Sequence, residues 1–426
     1  MPCIQKLPNE QISLRKTELE QTYQSYCDMH LSLNMARGKP GPDLICLSED
    51  MLTCLTPADN FDTCDGDDTR NYGLLTGIPE AKALFAQILD VPADNIIIGG
   101  NSSLNLMFDY ICTAYAKGIC GNTPWSRQEH VKFLCPVPGY DRHFAITEYF
   151  GIEMISIPMS NDGPDMDLIE KLVQDASVKG VWCVPMYSNP SGITYSDETV
   201  KRFAALKPAA NDFRIIWDNA YCVHHLYEDN PAKLLNIFKE AQKYGNEDLV
   251  VTFTSTSKIS FPGAGIACLA ASPKNIEDIK KRMTVQTIGF DKINMLRHAR
   301  YFKDIEGIRD QMVKRGNVLR PKFELVDSIL HEELDGKNIA TWNKPQGGYF
   351  ISVNLLPGCA KRTVELLKNA GVSITGAGAT FPYKNDPDDS NLRLAPSYPP
   401  LNELEISAKL FCICAELAAI EKTLSE

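Results

Sequence analysis

The segment that points most directly to chemistry is VVTFTSTSKISFPGAGIA, residues 250–267. A run rich in Val and Thr ends in hydroxyl side chains and one lysine, Lys258, before a Pro-Gly turn. Most lysines lie in solvent, but a charge between an apolar strand and an apolar turn is out of place there. A lysine in such surroundings can have a lowered pKa and act as a Schiff-base nucleophile. Hydroxyls at Ser255 and Ser257 could hydrogen-bond a phosphate beside it.

Two further clusters carry a carboxylate and an amide directly after apolar runs. In FRIIWDNAYC, Asp218 ends such a run and Tyr221 lies three residues on. The plain alternative for Asp218 is the N-cap of a following helix, and for the aspartate alone that alternative is the better one. In CVPMYSNPSG, Asn189 ends a run and precedes Pro190, which an ordinary turn would also explain.

Two more clusters offer a phosphate cradle and an aromatic surface. IIIGGNSSLNL feeds a Gly-Gly turn into a helix start at Ser102 and Ser103. Free N–H groups at a helix N-terminus bind anions, although Ser is also a preferred N-cap. In PVPGYDRH, the ring of Tyr140 follows a strand and could stack on a planar molecule, or simply pack.

Taken together, the five clusters name a ligand. They provide a lysine for an imine, an aspartate for a pyridinium nitrogen, a cradle for a phosphate and a ring for stacking. These are the requirements of pyridoxal 5'-phosphate. No paired Cys-x-x-Cys spacing suggests a metal site.

The elements that must position these clusters alternate between apolar strands and helical patterns from about Thr56 to Phe290. Such alternation predicts a mainly parallel α/β sheet covered on both faces, with ligands beyond the carboxyl ends of the strands. Beyond Arg300 a long charged helix leads to GGYFISVNL, GVSITGAG and a final helix, which predict a smaller α+β domain. We therefore expect a large domain over 51–299, and a small one formed by 1–50 with 300–426.

Composition excludes several classes of protein. The 426 residues include 43 Lys and Arg against 54 Asp and Glu, a net charge of −11, which argues against nucleic acid and anionic membrane as partners. No apolar run is long enough to span a bilayer, and the N-terminus has no apolar signal region, so we expect a cytoplasmic protein. The 14 cysteines are expected to be mainly buried thiols, with Cys412 and Cys414 in a core helix.

The order of these motifs resembles that of fold-type I, class I aminotransferases, which use pyridoxal phosphate. The likeness runs from about Asn34 to Pro399 through RNYGLLTGIPEAK, NPSG, DNAY, STSK and NLRLAPSYP. Within this family, NMARGKPGPDL, TIGFDKINMLRH and AGAG look most like a bacterial-type aspartate aminotransferase subgroup. The resemblance implies a mainly parallel, seven-stranded large-domain sheet. It also implies amino transfer from an amino acid, aspartate above all, to a 2-oxo acid such as 2-oxoglutarate, by a ping-pong mechanism.

The resemblance also implies roles for the residues that match the family motifs. Lys258 would bond to the cofactor and move the proton, and Asp218 would keep the pyridine nitrogen protonated. Tyr221 and Asn189 would hydrogen-bond the phenolic oxygen of the cofactor. Tyr140 stands where the family stacks an aromatic ring.

The phosphate and the substrate have their own matches. Those for the phosphate are the N–H groups of Ser102 and Ser103, the hydroxyls of Ser255 and Ser257, and Tyr72 from a second subunit. The last implies a homodimer with shared active sites. Arg393 matches the arginine for the substrate α-carboxylate, and Gly38 the small residue beside it. One departure is that the family's arginine after Pro-Gly is missing, with Gly265 near its place.

Other functions remain open at this point. An aminotransferase for another amino acid, or a β-lyase on the same cofactor, would keep the fold and change the chemistry. A transcriptional regulator with an aminotransferase-like domain would need a basic DNA-binding module, and the N-terminal segment is neither long nor basic enough for one.

Overall fold

The computed structural model describes residues 8–426. Within this range the helices are α1 Asn9–Asp28, α2 Pro42–Ile45, α3 Pro79–Leu89, α4 Ser103–Lys117, α5 Asp141–Tyr149, α6 Met166–Leu172, α7 Asp197–Ala204, α8 Ile237–Gln242, α9 Pro273–Gln286, α10 Lys292–Phe302, α11 Ile305–Leu334, α12 Ala360–Asn369 and α13 Leu401–Ser425. The strands are β1 Leu33–Asn34, β2 Ile96–Ile98, β3 Lys132–Val137, β4 Glu153–Ser160, β5 Gly163–Pro164, β6 Val178–Cys183, β7 Arg214–Asp218, β8 Val250–Ser255, β9 Ala267–Ala271, β10 Ala340–Trp342, β11 Ile351–Leu355, β12 Val372–Ser373 and β13 Asn391–Leu394.

The central sheet has the order β2-β9-β8-β7-β6-β3-β4-β5. Strands β8, β7, β6, β3 and β4 run parallel, whereas β9 is antiparallel to both of its neighbours. The expected seven strands are present, and the two-residue β5 adds an eighth at one edge. Every strand predicted from an apolar run in the first 271 residues lies in this sheet.

Helices cover the sheet on both faces, because alternate residues of its strands are apolar on both sides. On β7, Ile215 and Trp217 pack in one buried cluster with α3, α6, α7, α8 and α10. Ile216 packs in the other cluster, with α4, α5 and α9. This alternation turns Asp218, at the end of β7, toward the face that α4 and α5 cover.

A third core joins the two ends of the chain. It contains buried residues of α1, α11, α12 and α13, together with the antiparallel sheet β10-β11-β13 and the parallel pair β1-β12. A buried carboxylate, Glu416 of α13, accepts hydrogen bonds from Arg15 of α1 at 2.8 and 3.0 Å and from Lys337 at 2.6 Å. The N-terminal helix therefore packs against the C-terminal part of the chain. The boundaries at residues 50 and 299 stay a prediction.

The cysteines of the described residues form no disulfide bond. The thirteen cysteines within residues 8–426 are all free thiols, and six of them are buried, including Cys412 and Cys414 in α13. Cys3 lies outside the described residues. None of the helices between residues 8 and 426 combines the length and hydrophobicity that crossing a bilayer requires.

Candidate active site

A cavity of about 490 Å³ opens at the carboxyl ends of β7 and β8, between the central sheet and the segments around β1, β12 and β13. Eleven of the twelve residues predicted to form the site line this cavity: Gly38, Ser102, Ser103, Tyr140, Asn189, Asp218, Tyr221, Ser255, Ser257, Lys258 and Arg393. Tyr72 is the exception. Residues as far apart in the chain as Gly38 and Arg393, which are separated by 355 positions, thus meet at one cavity.

Asp218 is the most buried carboxylate of the cavity, at 3% exposure. Its Oδ2 lies 2.9 Å from Nε2 of His143 on α5, and the His143 ring stacks on Trp182 of β6 at 4.4 Å between centroids. Its Oδ1 is buried and has no hydrogen-bond partner among residues 8–426. No helix begins here, since α8 starts at Ile237 with Asn236 as its N-cap. Asp218 is therefore not a cap, and one of its oxygens is left for a donor that the protein does not supply.

Lys258 lies three residues beyond β8, and its Nζ is 4.7 Å from the centroid of the Tyr221 ring. Tyr221 is buried, and this burial raises the pKa of its hydroxyl. Tyr140 is half-buried, and burial raises its pKa to about 12. Both phenols are consequently neutral near neutral pH and can donate a hydrogen bond to an anionic oxygen.

Two loops form a cradle for an anion. Ser102 caps α4, since its Oγ accepts from the N–H of Leu104 at 3.2 Å, and Ser103 is the first helical residue. The N–H groups of a first turn have no acceptor within the helix, so they attract negative charge. Ser255 Oγ donates to Ser257 Oγ at 3.1 Å, and Ser257 Oγ donates to the Asn101 carbonyl at 2.8 Å. This last bond ties the lysine loop to the start of α4.

Gly265 occupies the place where the resemblance predicts an arginine. A Cβ on Gly265 would lie 3.0 Å from the backbone nitrogen of Ser257 and 3.2 Å from its Oγ. The carbonyl of Gly265 also accepts from Asn294 Nδ2 at 3.0 Å. The loop passes so close to the cradle that a side chain at this position would disturb Ser257. Besides Lys258 and Arg393, the basic residues that line the cavity are Arg37, Lys39 and Arg142.

Arg393 lies on β13 at 7% exposure, so it is not the solvated arginine of an edge strand. Its Nη1 donates to Asp141 Oδ1 at 2.8 Å and to Asn189 Oδ1 at 3.1 Å. Nε and Nη2 donate to Thr375 Oγ1 at 3.4 and 3.3 Å. The guanidinium lies over the ring of Phe350 at 4.7 Å. It is thus fixed in orientation, and the carboxylate of Asp141 pairs with it from the cavity side.

Gly38 approaches the ring that supports Arg393. A Cβ at this position would lie 2.3 Å from Cζ of Phe350, closer than real side chains pack. Glycine is required here because the backbone passes directly over the aromatic ring.

The variant Gly38→Ala is therefore expected to displace Phe350 and, with it, the Arg393 guanidinium. Overpacking of this kind costs about 1–3 kcal/mol. We expect kcat/KM to fall roughly 5- to 150-fold, mainly through KM, since about 1.4 kcal/mol is a factor of ten. Steady-state kinetics on the purified variant measure this. The matched control is Gly263→Ala, because a Cβ at Gly263 meets nothing within 4 Å. Unchanged KM for Gly38→Ala would show that the ring can move freely.

Tyr72 does not line the cavity of its own chain. It is 82% exposed, and its backbone N–H donates to Asn71 Oδ1 at 2.8 Å. An exposed tyrosine at this place does not contribute to the site within one chain. A role across a subunit interface stays a prediction.

Several residues of the cavity escaped the sequence analysis. Arg37, Asp141, Phe350 and Thr375 line it, and His143 contacts Asp218 without lining the cavity itself. For His143 a signal existed, because it follows Tyr140 by three residues and so lies on the same side of α5. Phe350 and Thr375 carry no such signal, since aromatic and hydroxyl residues in strands and loops usually only pack.

The whole described chain matches one protein family. The model of the family described as "Aspartate amino-transferase" matches residues 7–426. Aspartate aminotransferase of Corynebacterium glutamicum is 44% identical over 422 residues, covering 98% of this chain and 96% of that protein.

Solved structures agree with this match. The crystal structure of an aspartate transaminase from Corynebacterium glutamicum superposes with a TM-score of 0.96 at 43% identity, covering 99% of each chain. The α-aminoadipate aminotransferase LysN of Thermus thermophilus has a TM-score of 0.72 at 18% identity over 92% of this chain and 93% of its own, and shares the fold. The fold is that of the fold-type I aminotransferases, as the sequence motifs predicted. The geometry of the cavity and these relationships agree that the chain is an aminotransferase and belongs to the aspartate aminotransferase family.

Proposed function

We propose that the protein uses pyridoxal phosphate to transfer the amino group of aspartate to a 2-oxo acid, most simply 2-oxoglutarate, in two half-reactions. The observation that carries this proposal is the buried Oδ1 of Asp218, which has no hydrogen-bond partner among residues 8–426 and lies at the same cavity as Lys258. A buried carboxylate oxygen without a donor is costly, and a protonated pyridine nitrogen would supply that donor.

The remaining residues fit the rest of the cofactor. Ser102, Ser103, Ser255 and Ser257 form the anion cradle for its phosphate. Tyr140 would offer its aromatic ring for stacking on the cofactor ring, and Tyr221 a neutral hydroxyl for the phenolic oxygen. Lys258 Nζ, held beside the Tyr221 ring, is the nucleophile for its aldehyde. When bound, the cofactor supplies an electron sink for the carbanion at the substrate Cα.

The chain itself orients the substrate and moves one proton. Arg393 would bind the α-carboxylate with its planar, bidentate guanidinium, for which Thr375 and Phe350 set the orientation. The carboxylate of Asp141 must leave Nη1 of Arg393 when the substrate α-carboxylate binds. The substrate carboxylate then replaces that of Asp141 as the partner of the guanidinium. Lys258 would then take the proton from the substrate Cα and deliver it to the carbon of the cofactor. Asp218, with His143 behind it, would hold a proton on the ring nitrogen.

The experiment that tests this function is a panel of single half-reactions. The protein loaded with pyridoxal phosphate is mixed with one amino acid at a time, and formation of the amino form of the cofactor is followed by absorbance. Aspartate and glutamate should convert the cofactor fastest, and a 2-oxo acid should reverse the change. Release of pyruvate and ammonia without a 2-oxo acid acceptor would instead show a β-lyase.

The variant Asp218→Asn removes the negative charge and keeps the volume of the side chain. A hydrogen bond to a charged group contributes about 1.5–3 kcal/mol, so kcat should fall roughly 10- to 150-fold. In Asp218→Ala, kcat should fall by at least the same factor, because this variant also removes the hydrogen bond to His143. Both variants should still attach the cofactor to Lys258, which the absorption spectrum reports. Wild-type rates in both would assign Asp218 to a purely structural role.

We also propose that two subunits share their active sites, with Tyr72 reaching the phosphate bound by the other subunit. The exposure of Tyr72 outside its own cavity supports this. Variants Tyr72→Phe and Lys258→Ala, each with low activity, should regain activity when their subunits are exchanged. In each mixed dimer one site then contains both native residues. Mixtures that stay inactive despite demonstrated exchange would contradict a shared site. The cytoplasmic location expected from the sequence stays a prediction.

A further inference from the structure

A second cavity, here called the rear cavity, lies on the opposite side of the central sheet from the active site. It has a volume of about 330 Å³ and lies between the end of α3, the segment around the start of α8, and the strands β7 and β8. Small-molecule sites begin at about this volume, and they combine apolar walls with a few polar groups. The rear cavity has both features, and no step of the proposed function uses it.

The alternation of side chains along the strands turns two polar residues toward the rear cavity. Trp217 belongs to the buried cluster under α3 and α8, and Asn219 follows it by two positions. The backbone N–H of Asn219 donates to the Phe253 carbonyl at 2.8 Å, so the alternation continues past the end of β7. Thr252 is paired with Trp217 in the β7–β8 register, and its neighbour Phe253 belongs to the cluster on the other face. Asn219 and Thr252 therefore line the rear cavity with their side chains, whereas Asp218 faces the active site.

Both of these side chains have an unsatisfied polar atom. Thr252 is 3% exposed, and its Oγ1 has no hydrogen-bond partner among residues 8–426. Oδ1 of Asn219 is likewise buried and without a partner in this part of the chain. Leaving a buried polar group unpaired is costly, and most such groups in folded proteins have a partner. Two of them on the wall of one cavity indicate an occupant that hydrogen-bonds to both.

Water alone fits the rear cavity poorly. An ordered buried water molecule needs two to four polar partners. Most of the wall offers none, because it is formed by the side chains of Ile88, Leu89, Trp217, Leu234, Leu235 and Phe238. An occupant with an apolar body and one polar edge matches both parts of this wall.

The rear cavity offers no unpaired charge to a ligand. Within residues 8–426 its titratable lining residues are Asp90, Cys222 and His225. The carboxylate of Asp90 is paired with Lys239. Burial raises the pKa of the Cys222 thiol to about 11 and lowers the pKa of His225, so both side chains are neutral near pH 7. A charged ligand would lose its hydration here without meeting an opposite charge, so the occupant is neutral.

We propose that the rear cavity binds a small, neutral, planar lactam, in which a ring N–H adjoins a ring C=O. The amide of Asn219 has an acceptor and a donor side by side, so it can pair with both groups of that edge. The hydroxyl of Thr252 can donate or accept at a neighbouring position, and the aromatic side chains of Trp217 and Phe238 suit a flat ring. Nucleobases such as uracil carry the same edge. Because the sheet separates the two cavities, this ligand binds without displacing a cofactor or a substrate, and the inference does not rest on the proposed function.

The experiment compares 2-pyridone, a small aromatic lactam, with N-methyl-2-pyridone, in which a methyl group replaces the N–H. The cofactor-loaded protein is titrated with each compound, and binding is followed by NMR. 2-Pyridone should saturate one site, and loss of one hydrogen bond should weaken binding of the N-methyl compound by at least roughly 2- to 12-fold. Asn219→Leu keeps the size of the side chain and removes two hydrogen bonds, so the Kd of 2-pyridone should rise roughly 5- to 150-fold.

Thr252→Val removes one hydroxyl and should raise the Kd of 2-pyridone roughly 2- to 12-fold, which keeps the test decisive if Asn219→Leu does not fold. The matched control is Asn402→Leu, an exposed position that lines none of the cavities described and should leave the Kd unchanged. A crystal soaked with 2-pyridone should show the ring in the rear cavity, within hydrogen-bond distance of Asn219.

Three results would overturn the inference. The first is the absence of saturable binding, or equal binding of the two compounds. The second is an unchanged Kd of 2-pyridone in both Asn219→Leu and Thr252→Val. The third is a crystal in which the rear cavity holds only water at a concentration that saturates the protein in solution, because the compound would then bind elsewhere.

Discussion

The variant Lys258→Ala is expected to lose amino transfer by at least about 10⁴-fold, the upper end of what a positioned general acid–base residue contributes. The loss should be that large because one amine has two duties, as nucleophile for the cofactor and as carrier of the Cα proton. Among residues 8–426, the only other lysine that lines the cavity is Lys39, and it is held at the ring of Tyr398 rather than placed to replace Lys258. Steady-state and single-turnover assays both measure this loss.

A chemical readout separates this role from a structural one. Borohydride reduction followed by peptide mass spectrometry should place the cofactor mass on the Lys258 peptide of the wild type and on no peptide of Lys258→Ala. The matched control is Lys281→Ala on α9, an exposed lysine that should retain both label and rate. If the variant still carried the label on another peptide and turned over normally, Lys258 would not be the nucleophile.

The sequence predicted the strand ends well, for a physical reason. Parallel strands buried on both faces consist of continuous apolar runs, so a polar residue directly after such a run marks the edge where ligands bind. Asp218 and Ser255 are the last residues of β7 and β8, and both line the cavity. Asn189 also lines it, but it lies six residues beyond the end of β6. Local turn and cap chemistry placed Ser102 in the same way, and here the capping alternative and the cradle are both present.

Contacts between distant segments could not be predicted from the same patterns. The pairing of Arg393 with Asp141 spans 252 positions and depends on how β13 packs against the start of α5. The free oxygen of Asp218 likewise depends on where His143 lies, because the histidine occupies only one of the two oxygens. The short strands β1, β5 and β12 have two residues each, too few to show any alternation.

The close approach of Gly38 to Phe350 is another contact that local sequence patterns could not predict. The resemblance predicted a small residue at this position, but the reason for it lies 312 positions further along the chain. A glycine in a Gly-Pro-rich segment is explained well enough by a turn, so the pattern alone could not identify the ring. Only the packing of the two segments shows that an aromatic support for Arg393 excludes a side chain at residue 38.

The variant Arg393→Ala is expected to lower kcat/KM roughly 30- to 5,000-fold. Removing one partner of a buried charge pair costs about 2–5 kcal/mol, and about 1.4 kcal/mol is a factor of ten. The guanidinium is buried and held by Thr375 and Phe350, so its orientation is already set before a substrate binds. Arg393→Lys should recover only part of the loss, because an ammonium group cannot form the bidentate pair.

The substrate dependence of this loss distinguishes the two ends of the substrate. Every amino acid carries an α-carboxylate, so Arg393→Ala should slow aspartate and 2-aminobutyrate, which has a methyl group in place of the side-chain carboxylate, by similar factors. Selective loss of aspartate in Arg393→Ala would place this arginine at the side-chain carboxylate and reverse the proposed orientation of the substrate.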